Sequence, residues 1–315
     1  MADINQHGEK NVAIGKNTGK IEFNYGNKKI DKFLASNVAK VNEEDFLGRE
    51  DEIKEIRKRL TENKKLTLIN GEGGIGKTTL AAKYWQDNQN NYKHLAWLFC
   101  DSGIIENLKT TLSQALNLDL KEIPEESQID FLINKLNNLE KDCLLILDNA
   151  NDKDELERFR TEFSGLDWHI LLTSRCENVA ENEYYIDHLP PNLAKELFKK
   201  NYDEKTDDFD ELLTLFLESI GYNTLCIEIF SKTLKSSELL SMKELMDDLA
   251  AKGLFLDDKT EEIQVNWTSN TKKHKANTSD SIIKELYNIS NWSYAGIYFC
   301  LSFCTFSNAT FNALI

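Results

Sequence analysis

Between Lys65 and Trp85 the chain reads KLTLINGEGGIGKTTLAAKYW. Leu66 to Asn70 is an apolar run of strand length, and Thr78 to Trp85 carries a helical pattern. The junction, Gly71 to Thr78, reads GEGGIGKT and satisfies G-x-x-x-x-G-K-[ST] between the strand and the helix that give this spacing its meaning. Glycines let consecutive backbone N–H groups turn toward one point, and the dipole of the following helix adds positive potential there. Lys77 supplies a mobile cation, and the Thr78 hydroxyl a hard oxygen ligand. These residues predict a cradle for the β- and γ-phosphates of a nucleoside triphosphate with Mg²⁺, built from Gly71, Gly73, Gly74, Ile75, Gly76, Lys77, Thr78 and Thr79. A glycine-rich turn beside an exposed lysine is the plainer alternative.

Further apolar runs lie at His94 to Cys100, Cys143 to Leu147 and Trp168 to Thr173, with a shorter one at Tyr184 to Ile186 and helical patterns between them. Uninterrupted apolar strands separated by helices predict a parallel sheet covered on both faces, an α/β three-layer sandwich of P-loop NTPase type. Ligands of such sheets sit at the carboxyl ends of the strands. The run from Cys143 delivers Asp148 to that edge, on a strand expected to neighbour the loop strand, as the carboxylate partner of Thr78 at Mg²⁺. Capping the helix near Asp152 is the alternative role for Asp148. Position 149 is Asn, where many P-loop ATPases place a second acid to orient or deprotonate water; an amide cannot accept that proton at neutral pH. Slow hydrolysis follows, unless Glu155 or another acid substitutes. The run HILLTSR ends in Arg175, suited either to a γ-phosphate contact or to a surface pair with Glu177 or Glu181. Before the first helix stands FLGRE, Phe46 to Glu50, where Gly48 breaks the chain and Glu50 to Glu52 favour the helix N-terminal dipole.

Against 38 basic residues stand 53 acidic ones, a net charge of -15, so no global positive field draws nucleic acid or anionic membrane, and neither is an expected partner. Cys100, Cys143, Cys176, Cys226, Cys300 and Cys304 form no CxxC pair and no zinc-like spacing with histidine, and are read as reduced core residues of a cytoplasmic protein. The N-terminal MADINQHGEK has no apolar signal core. From Tyr287 to Ile315 no residue is charged, but Ser290, Asn291, Ser293, Ser302 and Thr305 interrupt the run below the roughly 18 residues of a span, so a buried helical segment is expected.

The expected organisation is a Gly/Asn-rich N-terminal segment at 1–30, a nucleotide-binding domain at 31–190, a helical domain at 191–256, a polar linker at 257–279 and an incomplete last segment at 280–315. The helical patterns run from Asn192 to Asn201, Asp207 to Ile220, Thr224 to Leu234 and Met242 to Ala251.

Taken in order, FLGRE, GEGGIGKTTLA, LLILDNAND, HILLTSR, YYIDHLPPNLAKELF and GYNTLCIEI resemble the NB-ARC type of the STAND class of signalling NTPases, over about residues 45–250. That family includes plant resistance proteins and apoptotic scaffold ATPases. The resemblance implies a switch that rests with ADP, opens on exchange for ATP and oligomerises with copies of itself, in immune, antiphage or programmed cell death signalling, and that is a slow ATPase at most. It implies that Arg49 helps hold nucleotide, that Arg175 is the sensor arginine, and that the motif from Gly221 to Leu225, with Gly221 and Leu225 as contacts, lies beside adenine. The family often has Gly-Leu-Pro-Leu where this chain reads Gly221, Tyr222, Asn223, Thr224, Leu225. The last segment, from Ser281, is similar to the opening of the winged-helix domain that follows in such proteins, so the chain is either a fragment or a short member. GEKNVAIGKNTGKIEF is similar to amyloid signalling motifs through Val12, Ala13, Ile14, Gly15, Lys16 and Asn17, which implies an effector partner contacted through this segment. Lys10, Lys16 and Lys20 oppose stacking, and a plain disordered leader is the alternative. Two further readings of the P-loop remain: an AAA-type ATPase doing work on protein or nucleic acid, which needs an acid near position 149 and an arginine finger in trans, and a small-molecule kinase.

Overall fold

The computed structural model describes residues 30–252, apart from 37, 39–40, 42, 44–45, 63–65, 101–102 and 237–240, together with 268–269 and 272–273. The amyloid-like motif and the winged-helix-like segment lie outside the described residues. Six strands, β1 (Phe33–Ser36), β2 (Leu66–Asn70), β3 (His94–Phe99), β4 (Cys143–Asp148), β5 (His169–Ser174) and β6 (Glu183–Tyr185), form one sheet in the order β1-β3-β4-β5-β2-β6. Every neighbouring pair is parallel. Parallel neighbours require crossovers, supplied here by α1 (Glu50–Glu62), α2 (Lys77–Asn88), α3 (Ile105–Ala115), α4 (Glu125–Asn137) and α5 (Lys153–Glu162).

The strands were legible because the central ones are buried on both faces and show no alternation; β3 and β4 are buried at every position. Leu144 and Ile146 share a core with Ile56 and Leu60 of α1 and Leu80 and Trp85 of α2. Leu145 and Leu147 point to the opposite face, the side of α3, α4 and α5, whose Leu112, Leu136 and Phe159 are fully buried.

Two features depart from the sequence expectation. β1 was not foreseen: its four residues bury only Leu34, and its register against β3 shifts between Phe33 and Ala35. The edge of β3 makes it a strand, not its own pattern. Nor is the Asp148 strand next to the loop strand, since β5 lies between β4 and β2.

After Pro190 the chain becomes helical: α6 (Pro191–Asn201), α7 (Phe209–Ser219), α8 (Thr224–Ser236) and α9 (Met242–Lys252). Pro191 opens α6 at a position where its missing N–H costs nothing. These helices share a core that includes Phe198, Leu213, Phe216, Phe230 and Leu245. Gly221 and Tyr222, with φ of 60° and 56°, end α7 by donating their N–H groups back to the carbonyls of Glu218 and Leu217. Within the stretch expected to be a polar linker, β7 (Thr268–Ser269) and β8 (Lys272–Lys273) pair as a two-residue antiparallel ladder. Among the described residues no helix is long and apolar enough to cross a membrane.

Candidate phosphate-binding site

The loop from Gly71 to Gly76 leaves β2 and enters α2 through three positive φ angles, 150° at Gly71, 79° at Gly74 and 102° at Gly76. At Gly74 a side chain is excluded twice, by the backbone conformation and because a Cβ would lie 2.8 Å from Asn223 Oδ1. At Gly76 a Cβ would meet nothing within 4 Å, so open space lies over the start of the helix. Ile75 is 1% exposed and anchors the loop in the core shared by α1 and α2.

Each carbonyl from Gly71 to Gly76 accepts from a donor. Lys77 Nζ donates to Gly71 O at 2.6 Å and Glu72 O at 2.7 Å. Asn223 Nδ2 donates to Gly73 O at 2.9 Å, and the Leu225 N–H to Gly74 O at 3.0 Å. Ile75 O lies 3.4 Å from Thr224 Oγ1 and 3.5 Å from Arg49 Nη2, and Leu80 N donates to Gly76 O at 2.9 Å. In a trans peptide the N–H points away from the C=O, so holding these carbonyls outward turns the following amides the other way, the arrangement an anion needs.

Beside the loop, Asp148 is 1% exposed and its Oδ1 accepts from Thr78 Oγ1 at 2.9 Å and from Thr173 Oγ1 at 2.5 Å. Thr173 in turn accepts the Asn149 N–H at 2.9 Å. From the intervening strand β5, Thr173 thus fixes the carboxylate that reaches across to Thr78. A hydroxyl and a carboxylate are hard oxygen donors, and two protein ligands leave positions for phosphate and water, so the pair fits Mg²⁺.

Burial and the neighbouring Arg175 push the Lys77 ammonium down to about 8, against the opposing pull of Asp148 and Glu72. The Arg175 guanidinium carbon would sit 3.5 Å from a Cβ on Gly73, which puts this exposed side chain against the loop. Its backbone N–H donates to Asn151 Oδ1 at 2.8 Å, and Asn151 Nδ2 donates to Asn149 Oδ1. The amide at 149 is therefore tied, through Asn151, to the placement of Arg175.

Arg49 is 8% exposed and pairs with Glu52 at 2.8 Å while reaching Ile75 O. Gly48 has φ of 65° and a Cβ there would overlap Leu193, so the FLGRE turn packs on α6. Thr79 is exposed on α2. Glu155, the other acid considered for the role absent at 149, has its Oε2 accepting the N–H groups of Ile104 and Ile105 at 3.0 and 3.1 Å and its Oε1 paired with Arg158. Gly221 serves the end of α7, whereas Asn223 and Leu225 touch the phosphate loop. Along the sequence Asn223 stood only within the Gly221 to Leu225 motif and Thr173 only at the end of an apolar run; the signals for their contacts were an Asn before a helix start and a hydroxyl within a buried apolar strand.

The sheet and loop define an α/β domain of P-loop NTPase type. The NB-ARC domain family matches residues 49–208, half of the chain, and the chain belongs to that family. It is 31% identical over 172 residues to "Probable disease resistance protein RF45" of Arabidopsis thaliana, a match covering 50% of this chain and 17% of that protein, and equally to "Probable disease resistance protein RDL5" of the same plant. The chain thus spans about a sixth of the length of these curated relatives. Among solved structures, a STAND protein with a tetratricopeptide repeat sensor from Pyrococcus horikoshii is 18% identical with a TM-score of 0.47, covering 85% of this chain and 46% of that one.

Proposed function

We propose that this chain binds ATP or ADP with Mg²⁺ and works as a slow nucleotide-gated switch of NLR-like type in the cytoplasm. It rests with ADP, exchanges to ATP and then oligomerises, in immune, antiphage or programmed cell death signalling. Residues 31–190 hold the nucleotide, 191–256 form the helical domain, and the 1–30 segment engages the effector. The observation that carries this reading is the convergence of Lys77, Arg175 and the Thr78–Asp148 pair on one loop with open space over Gly76. Lys77, whose ammonium rests on the Gly71 and Glu72 carbonyls, would turn from them to pair with phosphate oxygens. Thr78 and Asp148 would hold Mg²⁺, which would supply positive charge to neutralise the phosphates. Hydrolysis is slow because the Asn149 amide cannot take a proton from water and Glu155 is committed to capping α3.

Mass spectrometry of the small molecule that co-purifies tests the reading directly. ADP is expected in the wild type and absent from Lys77→Ala, whose nucleotide-free melting temperature stays within a few degrees of the parent because the side chain bonds two loop carbonyls and is no part of the hydrophobic core. Retention of ADP by Lys77→Ala, or turnover on the order of tens per second, overturns the switch and favours the AAA-type ATPase.

A further inference from the structure

We infer that Asn223 is a positioning residue for the phosphate loop: from the start of α8 it holds the Gly73 carbonyl outward, so that ligand retention depends on the helical domain. The inference rests on the nucleotide reading above and extends it to a residue outside the loop. Asn223 is 5% exposed and uses both ends of its amide. Its Oδ1 accepts the Cys226 N–H at 3.3 Å, capping α8, and its Nδ2 donates to Gly73 O at 2.9 Å, across 150 positions of sequence. Two residues on, the main-chain N–H of Leu225 donates to Gly74 O. The fit is close, since only a glycine at 74 clears Asn223 Oδ1. Each held carbonyl fixes the orientation of the next amide, here those of Gly74 and Ile75. With the donor at 223 removed, the Gly73 carbonyl loses its outward partner, and the peptide is free to rotate its N–H out of the cradle.

The two roles of Asn223 separate by substitution. Asn223→Asp and Asn223→Ser each keep an oxygen that caps α8, and neither supplies the N–H that reaches Gly73. A purely capping residue makes both variants equivalent to the parent. A positioning residue makes both release labelled ADP roughly tenfold faster or more and speeds hydrogen exchange at residues 72–76 in nucleotide-free protein; the nucleotide-free melting temperature stays nearly unchanged in Asn223→Ser, whereas Asn223→Asp, which sets a buried carboxylate against the Gly73 carbonyl, lowers it. Parental ADP release and parental exchange in both variants overturn the inference. If the parent itself binds no nucleotide, the proposed function falls, and the exchange measurement still decides the role of Asn223.

Discussion

At the scale of single residues, Lys77 carries the most direct consequence. Burial and Arg175 hold its ammonium near 8 in the absence of ligand, and a polyphosphate beside it favours the charged form, so the bound value is higher. Binding therefore takes up almost no proton well below pH 8 and approaches one proton well above it. ADP affinity is expected to be flat from about pH 7 to 8 and then to fall by up to about tenfold per pH unit toward 9.5. Lys77→Met removes that slope; isothermal titration across the range checks both, and an unchanged slope in the variant assigns the proton elsewhere. Asn149 belongs to the same scale. Its φ of 61° is one that Asn tolerates better than most side chains, and its amide accepts from Asn151, which in turn holds the Arg175 N–H, so an amide at this position has a structural role.

Among the elements, α3 and α5 show how a carboxylate in the right neighbourhood serves structure. Glu155 accepts two N–H groups at the first turn of α3, groups that a helix start leaves without intrahelical partners. Glu155→Ala is expected to cost about 1–3 kcal/mol in denaturant unfolding and to leave the ATP hydrolysis rate unchanged; a lost rate with intact stability makes Glu155 the base instead. β1 teaches the opposite lesson. Its four residues carry one buried side chain, too little for a period of two to be read, so only the open edge of β3 explains it. The long central strands needed no such help, because a buried apolar run bounded by glycine or polar residues has few other ways to fold.

For the whole molecule, the sheet domain and the helices after Pro190 have separate cores, yet they meet at the phosphate loop through Asn223, Thr224 and Leu225. Ligand bound to that loop is therefore expected to stabilise both. Mg²⁺ and ADP at about a hundredfold above Kd contribute about 2.7 kcal/mol, a rise of roughly 5–10 °C in Tm for a domain of this size. Calorimetry is expected to show the unfolding of sheet and helices moving together. A helical transition that stays in place while the sheet moves means that the two are not coupled through the loop.

The glycine-rich loop, the parallel sheet and the placement of Asp148 and Arg175 at the carboxyl ends of their strands were readable along the chain, because glycine spacing and buried apolar runs act through local backbone geometry and through the simple avoidance of water. Strand order was not readable, since any crossover of sufficient length joins two parallel strands, and so β5 and its Thr173 came between Asp148 and Thr78 only in three dimensions. The grip of Asn223 and Leu225 on the loop carbonyls belongs to tertiary structure alone: its hydrogen bonds span some 150 residues, and no local pattern specifies which distant donor meets which carbonyl.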